Sequence, residues 1–169
     1  MTSITLHDEK VNAARRLLET VCDPEIPVLT VADLGIVRDI RVLEDGALEV
    51  VITPTYSGCP AMNVIEVNIR AALQEGGFER TKVTTVLSPV WTTDWLSEEG
   101  RRKVHAFGIA PPAGPGADKK ALMGERRMLE CPHCGSKNTE MISQFGSTAC
   151  KALFRCLDCL EPFDYFKCH

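Results

Sequence analysis

Cys131-Pro132-His133-Cys134-Gly135 and, after a gap of 21 residues, Cys156-Leu157-Asp158-Cys159 form two knuckles that decide how the end of this chain folds. A two-residue gap lets both thiolates of a pair reach one ion, and two pairs complete a tetrahedron. The glycine after Cys134 lets the backbone turn so that N–H groups point at the sulfurs. A disulfide framework would need an exported protein. The start, Met1-Thr2-Ser3-Ile4-Thr5-Leu6-His7-Asp8-Glu9-Lys10, has no basic stretch followed by an apolar run, so the expectation is a cytoplasmic metal site.

Four-cysteine knuckles hold zinc or a single iron. The second knuckle is followed by Leu160 rather than glycine, which weakens a rubredoxin-like reading and favours structural zinc at Cys131, Cys134, Cys156 and Cys159. His133, Cys150, Cys168 and His169 are surplus candidates. Cys150 and Cys168 read either as small buried hydrophobes or as part of a second or alternative ligand set. Around the knuckles, Glu140–Phe145, Ala152–Arg155 and Phe163–Lys167 read as short strands separated by Gly146-Ser147 and Glu161-Pro162. Such a ribbon buries little, so the ion supplies much of its folding energy.

Outside the ribbon the composition is that of an ordinary globular protein: 169 residues, 44% hydrophobic and 25% charged. No apolar run approaches the roughly 20 residues of a membrane span. Residues 131–169 carry four basic and four acidic residues. That neutral balance argues against nucleic-acid binding, where a basic face neutralises phosphates. Five of the ten aromatic residues, Phe145, Phe154, Phe163, Tyr165 and Phe166, also lie in this tail. So many on so small a unit suggests that part of it packs on the main domain or a partner.

Upstream, residues 110–129 begin with Ala110-Pro111-Pro112-Ala113-Gly114-Pro115-Gly116 and read as a linker. This divides the chain into a first domain over 1–109, the linker, and a ribbon over 130–169. In the first domain Val11, Ala14, Leu17, Leu18 and Val21 make a helical stripe within Leu6–Val21. Ile36–Leu43 and Ala47–Thr53 flank Glu44-Asp45-Gly46, an antiparallel hairpin signal. Pro60–Gln74 is a second amphipathic helix closing at Gly76-Gly77, Lys82–Leu87 a third strand, and Ser97–Phe107 a short helix capped by Ser97. The expected fold is α+β: a small open α-β-β-α-β-α domain followed by a zinc-ribbon-like β module.

Three segments of that domain stand out. Cys22-Asp23-Pro24-Glu25-Ile26-Pro27-Val28, leading to Asp33-Leu34-Gly35, is a proline-stiffened loop that displays Asp23 and Glu25. Both acids also read as ordinary groups of a solvated turn. In Thr53-Pro54-Thr55-Tyr56-Ser57-Gly58-Cys59-Pro60, Cys59 falls at the expected N-cap of the next helix. There the helix dipole would lower its pKa, giving a thiolate that binds metal or attacks sulfur; a buried cap without chemistry is the other reading. Ser88-Pro89-Val90-Trp91-Thr92-Thr93-Asp94-Trp95 carries two tryptophans, which on their own read as cover for one end of the core.

These segments resemble the SufT-like domain of iron–sulfur cluster assembly proteins. Taken with Phe107-Gly108-Ile109-Ala110-Pro111-Pro112, Phe145-Gly146-Ser147-Thr148-Ala149-Cys150-Lys151 and Glu161-Pro162-Phe163-Asp164-Tyr165-Phe166-Lys167-Cys168, the chain resembles along nearly its whole length the PaaD family, encoded with the bacterial phenylacetyl-CoA ring-epoxidase system. The resemblance implies an accessory role in phenylacetate degradation, assisting iron or iron–sulfur maturation. The clients would be the di-iron oxygenase subunit or the reductase subunit with its flavin and 2Fe-2S cluster. It implies that Cys59 transiently holds iron or a cluster, with Asp23 and Glu25 orienting the metal or contacting the client. One thiolate cannot enclose a cluster, so a second copy or the client must supply further ligands. A stoichiometric structural subunit and an iron-based electron carrier are the alternatives. The inventory agrees that the chain is not catalytic by itself. A carboxylate di-iron site needs two Glu-x-x-His pairs, and the one match, Glu130-Cys131-Pro132-His133, overlaps the first knuckle. Neither a glycine-rich dinucleotide fingerprint nor a Ser-His-Asp set is present.

Overall fold

A computed structural model describes residues 3–112 and 129–167; most of the expected linker, together with Cys168 and His169, lies outside them. The chain divides into two compact units, Met1–Trp91 and Thr92–His169. The first contains helix α1 (Ser3–Leu18), strands β1 (Val37–Val42) and β2 (Leu48–Ile52), helix α2 (Ala61–Glu75) and strand β3 (Thr81–Thr85). The sheet order is β1-β2-β3, with β1 antiparallel and β3 parallel to the central β2. The hairpin forms at Asp45-Gly46, where Gly46 takes φ 81°. The parallel pair requires a crossover, and α2 is that crossover.

Hydrophobic spacing explains the layers. On α2 the buried residues Ala61, Ile65, Ile69 and Leu73 recur every four positions and form one stripe. Ala14 and Leu18 of α1, Leu48, Val50 and Ile52 of β2 and Val83 of β3 are buried likewise. Each large apolar side chain so buried contributes about 1.5–3 kcal/mol. Helix α2 ends at Gly76, where a Cβ would stand 2.1 Å from Leu17 Cδ1. A larger residue there would push the Leu17 side chain of α1 aside.

The other sheet face is polar and is organised by Glu49, whose side chain is 4% exposed. Its carboxylate accepts from Thr84 Oγ1 at 2.6 Å and meets Arg41 at 2.7 Å and Lys82 at 3.0 Å. The Thr84 hydroxyl first, then Lys82 and Arg41, lower its pKa from 4.5 to about 2. A depressed carboxylate stabilises the fold above its unfolded pKa, and that contribution fades as pH falls through the folded value. The stability gap between wild type and Glu49→Gln is therefore expected to be full at neutral pH and to close between pH 4.5 and about 2. Denaturant unfolding at pH 7 and at pH 2 measures it.

The second unit contains a 3-10 turn (Thr93–Trp95), helix α3 (Glu98–Ala106), and strands β4 (Ile109–Ala110), β5 (Thr139–Ser143), β6 (Lys151–Cys156) and β7 (Pro162–Phe166). Ser97 caps α3 by accepting from Gly100 N at 2.8 Å. The sheet order is β4-β7-β6-β5. Three of these strands match the expected ribbon; β4 is an addition. It pairs in parallel with β7, Ile109 opposite Asp164 and Ala110 opposite Tyr165. The sequence reading placed α3 and the residues up to 109 with the first domain, whereas in the structure they belong to the same unit as the ribbon strands. The reason is that β7 has an edge to offer and β4 satisfies it.

The ribbon core consists of Ala110, Leu129, Cys131, Ala152, Phe154, Cys156, Phe163 and Tyr165. Phe154 stacks on Phe163 at 5.9 Å between centroids and meets Tyr165 edge-on at 5.8 Å. Four of the five tail aromatics are thus buried, and Phe145 alone of them is 63% exposed.

Candidate functional site

Each knuckle is a tight turn after a buried cysteine. Gly135 has φ 75° and Leu160 φ 66°, so the second knuckle adopts the same left-handed turn without glycine. For leucine that conformation costs about 1–2 kcal/mol. The four sulfurs of Cys131, Cys134, Cys156 and Cys159 lie within 4.8 Å of one another. Cys131 and Cys159 approach to 3.8 Å, Cys134 and Cys156 to 3.5 Å. A tetrahedron with Zn–S bonds of about 2.3 Å has edges of about 3.8 Å, so this geometry fits a dication.

The electrostatics also fit. Cys156 is brought down to about 7, by the Cys159 N–H foremost, against the effect of burial. Cys159 receives the Glu161 N–H, yet burial and its crowding by the other three sulfurs push it up to about 12. One thiolate forms readily and opposes ionisation of Cys134 and Cys159, which is the arrangement a cation relieves. The module would hold zinc through these four residues, and zinc there supplies cross-linking of the two knuckles. All four corners are protein ligands, so no open position remains for chemistry.

Two of the surplus candidates, His133 and Cys150, stand apart from this group. His133 is exposed, and its ring lies close to Gly108, where a Cβ would be 3.4 Å from His133 Cε1. Cys150 is buried, with its sulfur 3.0 Å from Thr148 Oγ1. Cys168 and His169 lie outside the described residues.

In the first unit, two loops carry the three residues singled out in the sequence, with Asp23 and Glu25 within electrostatic reach of Cys59. The loop after α1 is fixed by its own acids. Asp23 Oδ1 accepts from Glu25 N at 2.7 Å and Ile26 N at 2.9 Å, while Asp23 N donates to Leu29 O at 2.8 Å. Thr30 and Asp33 then bond reciprocally, Asp33 Oδ2 accepting from Thr30 Oγ1 at 2.9 Å and Thr30 Oγ1 from Asp33 N at 3.0 Å. Trp91, 1% exposed, donates from Nε1 to Leu34 O at 2.8 Å and seats this loop. Its reading as core cover holds, with the added task of fixing the Asp33-Leu34-Gly35 turn.

Cys59 lies at the end of the second loop, and the expectation for it needs correction. The N-cap is Pro60, not Cys59, and the thiol pKa is raised rather than lowered. Burial is the largest cause. The Ala61 N–H does pull it down, as a helix start should, and so does a hydrogen bond with Tyr56. The charges of Glu25 and Asp23 act the other way. Cys59 therefore stays a thiol at neutral pH. Among the described residues, Cys59, Asp23 and Glu25 do not close into a ligand group as the ribbon cysteines do. Tyr56 is the neighbour that sequence reasoning missed; its position three residues before Cys59 in a tight turn was the available signal.

Known proteins match both units. Residues 12–87 match the family described as "Iron-sulfur cluster assembly protein", and residues 115–167 the "PaaD zinc beta ribbon domain". The chain is 47% identical over 164 residues to an Escherichia coli (strain K12) protein named as a component of 1,2-phenylacetyl-CoA epoxidase, covering 97% of this chain and 96% of that one. It is 39% identical over 85 residues to an "Fe-S protein maturation auxiliary factor" of Porphyromonas gingivalis, covering 50% of this chain and 80% of the other. A Bacillus anthracis crystal structure titled "Domain of Unknown Function DUF59" superposes with TM-score 0.57 at 23% identity, over 60% of this chain and 97% of that one, a likeness of fold. With a relative this similar over almost its full length, the chain belongs to the PaaD family, which joins an iron–sulfur-assembly-type domain to a zinc β ribbon.

Proposed function

We propose that this protein is a cytoplasmic accessory factor of the phenylacetyl-CoA 1,2-epoxidase system that assists iron or iron–sulfur maturation of the oxygenase or reductase subunit. The observation that carries the reading is that Cys59 feels the charges of Glu25 and Asp23 inside the stretch that matches the iron–sulfur assembly family. The names of the relatives from Escherichia coli and Porphyromonas gingivalis support the pairing of epoxidase and maturation roles.

The chemistry follows from the site. Two carboxylates beside a protonated thiol resist a bare thiolate and favour a cation in its place. An arriving iron ion takes the Cys59 sulfur and releases its proton, and Asp23 and Glu25 offset the added positive charge. A single thiolate grips weakly by comparison with the roughly four cysteine ligands of a cluster. Transfer to a client that offers more ligands is therefore downhill, and Cys59 regains a proton as the cargo leaves. A second copy or the client completes the coordination during the exchange. The zinc ribbon, with no open corner, takes no part in carrying cargo and serves docking.

The test is to reconstitute the epoxidase subunits with and without this chain and to measure client iron and activity. Maturation predicts iron-deficient, inactive client without it. Restored activity on late addition to fully metallated subunits would instead make the chain a working subunit.

A further inference from the structure

Beyond its four sulfurs, the ribbon has a second tie between the knuckles, made by Asp158. This residue sits between the two cysteines of the second knuckle, and both of its carboxylate oxygens reach the segment that follows the first. Oδ2 accepts from Ser136 Oγ at 2.5 Å and Oδ1 from Asn138 Nδ2 at 2.8 Å. Ser136 Oγ in turn accepts from Asn138 N at 3.0 Å, so the two donors are locked to each other as well. A main-chain bond from Leu157 N to Asn138 O at 2.8 Å runs alongside.

This network is joined to the ligands at both ends. Ser136 O accepts from Cys131 N at 2.8 Å, closing the turn that carries the first pair of sulfurs. On the other side, Cys156 Sγ receives the N–H of Cys159 at 3.5 Å and that of Asp158, and both favour its thiolate. A side chain that fixes Asp158 therefore also fixes an N–H aimed at a ligand sulfur. A single exposed contact adds little to a fold. Here two charge-assisted bonds share one carboxylate, their donors are bonded to each other, and they span the two turns whose separation opens the tetrahedron.

We propose that Asp158 is a positioning residue of the zinc site, a clasp that draws the two knuckles together and sets how tightly and for how long the ion is held. It lies outside the ligand group. Its action runs through Ser136 and Asn138 to the first knuckle and through its own N–H to Cys156. Partners of this kind around a metal change its affinity about 10–100-fold. The clasp rests on the four-cysteine zinc assignment and is independent of the maturation reading.

The experiment follows zinc in the full chain, measuring its affinity by competition with a chelator and its rate of transfer to an excess of that chelator. Asp158→Ala is expected to weaken binding and speed release about tenfold or more. Asp158→Asn, which keeps one carbonyl oxygen for Asn138, is expected to fall between Asp158→Ala and wild type. Because Ser136 acts through Asp158, Ser136→Ala should speed release less once Asp158 is already alanine. Glu140→Ala is the control. It removes an exposed ion pair with Arg155 on the same sheet, outside the Asp158 network, and should release zinc at the wild-type rate. Wild-type affinity and release in both Asp158 variants would overturn the inference. So would equal acceleration by Glu140→Ala, which would make the effect one of general ribbon stability, and so would additive effects of Ser136→Ala and Asp158→Ala. Wild type purified without zinc would overturn the metal assignment and the clasp together.

Discussion

Replacing Cys156 with serine is expected to empty the ribbon of zinc and unfold it, while residues 6–91 keep their structure. Cys156 is fully buried and belongs at once to the ligand group and to the ribbon core, at the end of β6. Among the described residues, the core it joins has eight buried residues. Binding of a structural zinc is worth about 10–16 kcal/mol to such domains, far more than so small a cluster supplies. A serine hydroxyl is not a thiolate and gives the ion three ligands where a closed site needs four. Metal analysis should read about one zinc per chain in wild type and almost none in Cys156→Ser. Hydrogen exchange should show lost protection over residues 129–167, and chelation of wild type should reproduce that loss. Cys150→Ser is the control. Cys150 is as well buried but lies outside the ligand group, so this change should keep the zinc and cost about 1 kcal/mol. Equal zinc loss in both variants would contradict the four-cysteine assignment.

Much of this architecture was legible in the sequence because its signals are local. The knuckle spacing gave four ligands that the structure draws together, Asp45-Gly46 gave the hairpin, the four-residue spacing of Ile65, Ile69 and Leu73 gave α2, and Ser97 gave the start of α3. What stayed hidden depends on distant partners. Strand β4 is two residues long, too short for any periodicity, and exists because β7 lies beside it more than 50 residues later. Leu160 takes a glycine-like turn that its residue type did not signal. The indole of Trp91 finds its acceptor 57 residues upstream. For Cys59 the local signal was real, since the Ala61 N–H does favour the thiolate, but burial and two acids from another loop outweigh it.

That correction sharpens what Cys59 is expected to do. A free nucleophilic thiolate would work without a metal and would be more reactive than an ordinary thiol. A thiol raised by burial and by Glu25 and Asp23 is a poor nucleophile at neutral pH and becomes a ligand only when a cation arrives. Cys59→Ser should leave the ribbon zinc, the fold and the docking of the chain on its client intact, because Cys59 is half-buried and outside the ribbon ligand group. Its effect should fall on cargo alone. Glu25→Gln should weaken iron loading more mildly, since it removes one charge and no sulfur. The most direct measurement is the iron content of the oxygenase and reductase subunits purified after co-expression with wild type or with Cys59→Ser. The account predicts client iron lowered about tenfold or more by Cys59→Ser, with zinc per chain unchanged, the loss expected when the sulfur ligand is removed. Equal client iron with the two proteins would contradict it.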